Sequence, residues 1–102
     1  MVEQPRTDAF RAAGARPLTL AQALARGRAA MAEITTAPID AVTRFEAESD
    51  GGWHAVIDVI EVPARMGDND LLCTYDIALD AQGDLAGFRR TARYHREDGI
   101  PA

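Results

Sequence analysis

The residues best equipped for chemistry in this chain are Ser49, Cys73, His54 and His95, and their settings point away from catalysis. Ser49 lies in a turn sequence, Ser49-Asp50-Gly51-Gly52, with no base at hand. Cys73 falls mid-strand among apolar residues, where a thiol behaves as a small buried hydrophobe rather than a nucleophile. His54 and His95 belong to different strands, and no H-x-x-x-H or C-x-x-C spacing occurs that would gather metal ligands. Asp68-Asn69-Asp70 opens like a calcium loop but lacks the glycine and glutamate that complete one, so it reads as a solvated turn. Gly51-Gly52 reads as a hairpin turn and not as a phosphate cradle. The expectation is a protein with no catalytic residue, no metal site and no cofactor.

The distinctive chemistry is arginine chemistry. Residues 85–96 contain Arg89, Arg90, Arg93 and Arg96, interleaved with Phe88 and Tyr94, and no acid. That window carries +4, so with a total of −5 the remainder carries −9. All 11 basic residues are arginine, whose planar fork binds carboxylates in pairs and stacks on aromatic rings. Basic and aromatic residues alternating on a strand suit single-stranded nucleic acid, but the acidic remainder disfavours that partner. Two structural readings stand beside it: the arginines pair across strands with Asp58, Glu61 and Asp76, or they form a solvated edge that blocks sheet aggregation. The functional reading is a protein interface, with Arg89, Arg90, Arg93, Arg96 and Glu61 as polar contacts. Trp53 and Tyr75 would serve as aromatic anchors or as core supports.

Those residues need a frame, and 102 residues allow one small domain. A 47% hydrophobic and 26% charged composition is that of a globular protein. A single cysteine forbids an intrachain disulfide. No apolar run reaches the roughly 18 residues of a membrane helix, and Met1–Arg6 lacks the apolar region of a secretory signal. The cytoplasm is the expected compartment.

Residues 1–17 read as a loose N-terminal arm, 18–97 as the domain and 98–102 as a tail. Thr19 and Gln22 have capping-box spacing, and Leu20, Leu24, Gly27, Met31 and Ile34 recur as one helix face. Thr35, Thr36 and Pro38 stop that helix. Period-2 patterns follow at 39–48, 53–62, 71–80 and 85–96, separated by turn residues. The prediction is an α+β fold with one N-terminal amphipathic helix packed on a four-stranded antiparallel meander. Leu71, Cys73, Tyr75, Ile77 and Leu79 are expected to face the helix, joined by Ala86, Phe88, Ala92 and Tyr94 from the last strand. The 53–62 strand is apolar on both sides, with Val56, Ile60 and Val62 opposite Trp53, Ala55, Ile57 and Val59. Its second face is either shielded by long neighbouring side chains or the arm, or is a partner surface, for a homodimer or another protein.

The residues from Gly52-Trp53 onward are similar to a known family. Val59-Ile60-Glu61-Val62, Arg65, Asp70, Leu72, Tyr75-Asp76-Ile77, Leu79-Asp80, Gly83, Leu85, Phe88, Arg90, Arg93-Tyr94 and Arg96 resemble the pattern of the gas vesicle protein O (GvpO) family over residues 52–96. Asp76 stands where that pattern usually has glutamate, and Met66-Gly67 where it has an aliphatic residue and proline. The resemblance implies a cytoplasmic accessory protein of gas vesicle assembly with no known catalytic activity. It would act through contacts with other gas vesicle proteins, helping to hold or nucleate the shell protein. Two alternatives from other classes are a small PepSY-like peptide-binding or inhibitory module, and a regulator that contacts nucleic acid through the arginine-rich strand.

Overall fold

In the computed structural model, residues 16–97 are described; the expected arm up to residue 15 and the tail from 98 lie outside them. The chain forms α1 (Leu20–Met31), β1 (Ile39–Ala47), β2 (Trp53–Val62), β3 (Leu71–Leu79) and β4 (Leu85–His95). The strands pair as an antiparallel sheet in the order β1-β2-β3-β4. This is the α+β meander that the alternating pattern predicts.

The capping box starts α1. The Gln22 amide donates to Thr19 Oγ1 at 3.1 Å, and the Thr19 amide donates back to Gln22 Oε1 at 2.9 Å. The buried stripe is Ala23, Gly27, Ala30 and Met31, so it is rotated from the predicted face, and Leu20 is 60% exposed. The rotation has a packing reason. Small residues let the helix come down onto the sheet, and the Phe45 ring lies 3.2 Å from where a Cβ on Gly27 would sit. A leucine stripe would hold the helix farther off. Met31 then joins Ala55, Ile57, Val59, Cys73, Ile77 and Leu79 in the core.

The last strand departs from simple alternation. Its register against β3 jumps between Leu85 and Gly87, and again between Arg90 and Ala92. Each extra residue is a β-bulge, and each reverses which side chains face the helix. Phe88 remains opposite Ile77 on the helix side, but Ala92 lies opposite Thr74 and Tyr94 opposite Leu72, on the other side. Ala86 falls within the first bulge. Of the four residues expected from β4 in the helix-facing layer, only Phe88 is there, and it is 54% exposed because α1 packs nearer β1.

The second face of the sheet is more polar than the apolar residues of β2 suggest. Asp58 is 7% exposed there, beside buried Leu72. No second layer from the described residues covers this face. Long side chains do: Tyr94 lies over Asp58, and Arg96, just beyond β4, reaches Asp40 on β1 at the opposite sheet edge. That contact ties the two sheet edges together across this face.

Candidate interaction edge

The four arginines of the 85–96 window occupy three different environments. Arg93 lies opposite Cys73 on the helix side, and its Nε and terminal nitrogen donate to the two oxygens of Glu61 at 3.1 and 3.2 Å. Arg96 donates to Asp40 at 2.9 and 3.3 Å and to Asp70 at 2.8 and 3.2 Å. Its pKa is raised further by Asp40 and then Asp70, while Asp70 is held below the usual carboxylate range by the Ala64 amide first and by Arg96 second. Arg96 is therefore a structural staple between β1, β4 and the 63–70 loop. Arg89 and Arg90, on opposite faces, have no carboxylate partner among the described residues. Arg89 is opposite Asp76, but that carboxylate is taken by His54.

The predicted anchors also separate. Trp53 stacks on Phe45, with centroids 5.3 Å apart and planes at 20°, and packs against the core. Tyr75 packs against the core too, yet its ring is 6.3 Å from exposed Phe88, tilted at 56°. Arg90 is the cross-strand neighbour of Tyr75. Burial raises the Tyr75 phenol and the Cys73 thiol above their ordinary values, with Cys73 and Glu61 respectively adding to it. The surface that emerges is Phe88, Tyr75 and Arg90 on the helix side of β4, with the Arg93–Glu61 pair beyond and Arg89 on the reverse. Phe88 is the member that sequence reasoning missed. Its spacing placed it in the core, and only the position of α1 leaves it open.

The other face carries a hydroxyl–carboxylate network that sequence reasoning also missed. Asp58 accepts from Thr74 Oγ1 at 2.6 Å and from the Tyr94 hydroxyl at 2.7 Å. The bond to Asp58, followed by burial, pushes the Tyr94 phenol up to about 12. Of the three expected carboxylate partners, Glu61 alone binds an arginine of the window; Asp58 serves Thr74 and Tyr94, and Asp76 serves His54. Near the β1–β2 hairpin, Glu46, Glu48 and His54 place ligand atoms within 4.8 Å of one another. They are the described residues that could meet at a cation. Glu46 and Glu48 are exposed, Arg44 lies 3.6 Å from Glu46, and His54 is bonded to Asp76. A shallow depression of about 500 Å³ adjoins them, lined in part by Glu48, Trp53, His54 and Ala86.

Fold and surface define a small α+β module, with one helix on an open antiparallel sheet and an aromatic, arginine-bearing edge strand. The chain belongs to the gas vesicle synthesis protein GvpO family, whose model matches residues 6–99. It is 42% identical over 69 residues to a gas vesicle protein O of Streptomyces sp. (strain CB03234), covering 67% of this chain and 52% of that one. It is 31% identical over 94 residues to gas vesicle protein O1 of Halobacterium salinarum, covering 92% of this chain and 78% of the relative. With gas vesicle protein O of Haloferax mediterranei it shares 32% identity over 79 residues, 78% of this chain and 56% of that one. The chain thus spans about half the length of the Streptomyces and Haloferax relatives. No solved structure matches it. No helix among the described residues is long and apolar enough to cross a membrane.

Proposed function

We propose that this chain is a non-enzymatic accessory factor of gas vesicle formation, working in the cytoplasm through contacts with other gas vesicle proteins. Family membership supports the process. The observation that carries the mode of action is the β4 surface: a half-exposed Phe88 against Tyr75, beside an arginine without a carboxylate partner among the described residues. Aromatic and arginine side chains are the types enriched where proteins meet. A diffuse phosphate stripe fits less well, because Arg93 and Arg96 are already engaged by carboxylates of the same chain.

The test is co-purification with the gas vesicle shell protein and other gas vesicle accessory proteins. Phe88→Ser combined with Arg90→Glu is the informative variant. Arg90 is chosen over Arg93 because reversing Arg93 would set an acid against Glu61 and disturb the fold. Exposed substitutions of this kind change stability by about 0.5 kcal/mol or less, so the variant should stay folded and lose at least tenfold in partner capture. Unchanged capture by the folded variant would refute the interface.

A further inference from the structure

The edge strand offers more than side chains, because half of its backbone faces outward. The Arg96 amide donates to the Asp70 carbonyl at 2.8 Å, and at the hairpin end the Asp80 amide donates to the Asp84 carbonyl at 2.8 Å. In an antiparallel ladder, residues that exchange bonds with the neighbouring strand alternate with residues whose N–H and C=O point away from it. Counting inward from both anchors, and allowing for the two bulges, gives the same answer. Arg89 and Tyr94 turn their main-chain groups into the sheet, and Phe88, Arg90 and Arg93 turn theirs out. β4 is an edge strand, so no strand among the described residues pairs with those outward groups. The three outward positions are also the ones whose side chains lie on the helix side, where Phe88 and Arg90 are open.

We propose that β4 takes up an extended, acidic segment of a partner protein as a fifth strand, hydrogen-bonded to the outward backbone of Phe88, Arg90 and Arg93. This rests on the reading of β4 as the interaction edge. The occupant is fixed by register and charge. Side chains on one face of a strand recur every second residue. A segment with an apolar residue beside Phe88 therefore needs a carboxylate two residues along, beside Arg90, where cross-strand opposite charges attract. Charge also rejects the obvious competitor. A second copy of β4 paired edge to edge about Arg90 would oppose arginine with arginine, and like charges facing across strands are destabilising. The same arginines exclude neutral apolar strands less strongly than basic ones, so they act as a filter as well as a guard. The other sheet edge lacks this character: β1 carries mixed charge, with Arg44 beside Glu46. The two bulges of β4 divide it into the regular stretches Gly87–Arg90 and Ala92–His95, so the added strand is short and follows the bend at the second bulge to reach Arg93.

Amide hydrogen exchange by NMR on the full chain tests this directly. The probes are a short capped peptide alternating valine with glutamate, its lysine-for-glutamate counterpart and a thymidine oligonucleotide. The glutamate peptide should slow exchange at Phe88, Arg90 and Arg93 by at least tenfold, and Arg90→Glu should abolish the effect. The amides of Arg89 and Tyr94, already bonded within the sheet, should change little. Equal protection by the lysine peptide or by the oligonucleotide would overturn the proposal. So would concentration-dependent protection of these amides in the protein alone, which would seat a second copy on the edge. Exchange in a co-purified complex separates this inference from its premise. Capture that depends on Phe88 and Arg90 while the three amides stay unprotected would leave the interface standing and refute strand addition.

Discussion

Tyr94→Phe is the most incisive test of how the sheet is built. Alternation read from sequence places Tyr94 in the helix-facing layer, where loss of a hydroxyl would cost nothing. The bulged strand places it on the other face, with its hydroxyl 2.7 Å from the carboxylate of Asp58, a residue 7% exposed. A hydrogen bond to a charged group contributes about 1.5–3 kcal/mol, and an acceptor left buried without its donor adds a desolvation penalty within the same range. Asp58 keeps the Thr74 hydroxyl at 2.6 Å, which limits the damage. A loss of about 2 kcal/mol is expected, which lowers Tm by about 8–16 °C in a domain of this size. Urea denaturation followed by the fluorescence of Trp53, the sole tryptophan, reads it. The control is the double variant Asp58→Leu with Tyr94→Phe. Removing both partners of a buried hydrogen bond is far less costly than removing one, so the double variant should recover much of the loss. A Tyr94→Phe change below about 0.5 kcal/mol, the ordinary scatter of surface substitutions, would refute the placement of Tyr94 and with it the second bulge.

Three further outcomes follow from the same geometry. Tyr94 should titrate at about 12 by near-ultraviolet absorbance, and Asp58→Asn should lower that value. Because the folded value lies above the unfolded one of about 10, the associated stability is complete below about 10 and is lost as pH rises through about 12. Asp70 has the opposite sign: its lowered pKa contributes stability above the ordinary carboxylate range that disappears as pH falls, so Asp70→Asn should make acid unfolding monitored at Trp53 less steep. Gly52→Ala should destabilise by about 1–3 kcal/mol, since its Cβ would lie 2.5 Å from the Leu79 carbonyl oxygen, whereas Gly87→Ala, with nothing within 4 Å, should be nearly neutral in the same denaturation assay.

The elements were readable because their signals are local. A threonine and a glutamine at capping-box spacing start α1, and glycines at the turns separate runs of alternating residues. The helix face is legible in large part: Gly27 and Met31 belong to both the expected and the buried stripe, Leu24 and Ile34 are half-buried, and Leu20 alone of the expected face is exposed. In contact with a sheet, the small Ala23 and Ala30 allow the closer approach and join Gly27 and Met31 in the buried stripe. The faces of β4 were misread. A bulge leaves no mark on a hydrophobic pattern when the extra residues, here Ala86 and Thr91, are small enough to sit on either side.

That misreading decides what the arginine-rich window means. Read as a flat alternating strand, it is one continuous basic strip. Two one-residue bulges divide it, and the division assigns separate tasks. The second bulge turns Arg93 toward Glu61 and brings Arg96 to the face where Asp40 and Asp70 meet it. Arg89 and Arg90, between the bulges, are left without carboxylate partners among the described residues. The counter-charges of Arg96 lie 26 and 56 residues away in the chain, too far for any local pattern to reveal. Asp70 precedes β3 and Arg96 follows β4, so a hairpin register could have paired them, but only with both bulges known. Substitution separates the two roles. Replacing Arg96 with glutamine should lower stability and leave partner capture intact in the folded fraction, while replacing Arg90 with glutamine should lower capture and leave stability intact. If both changes act alike, on stability or on capture, the division of the strip is wrong.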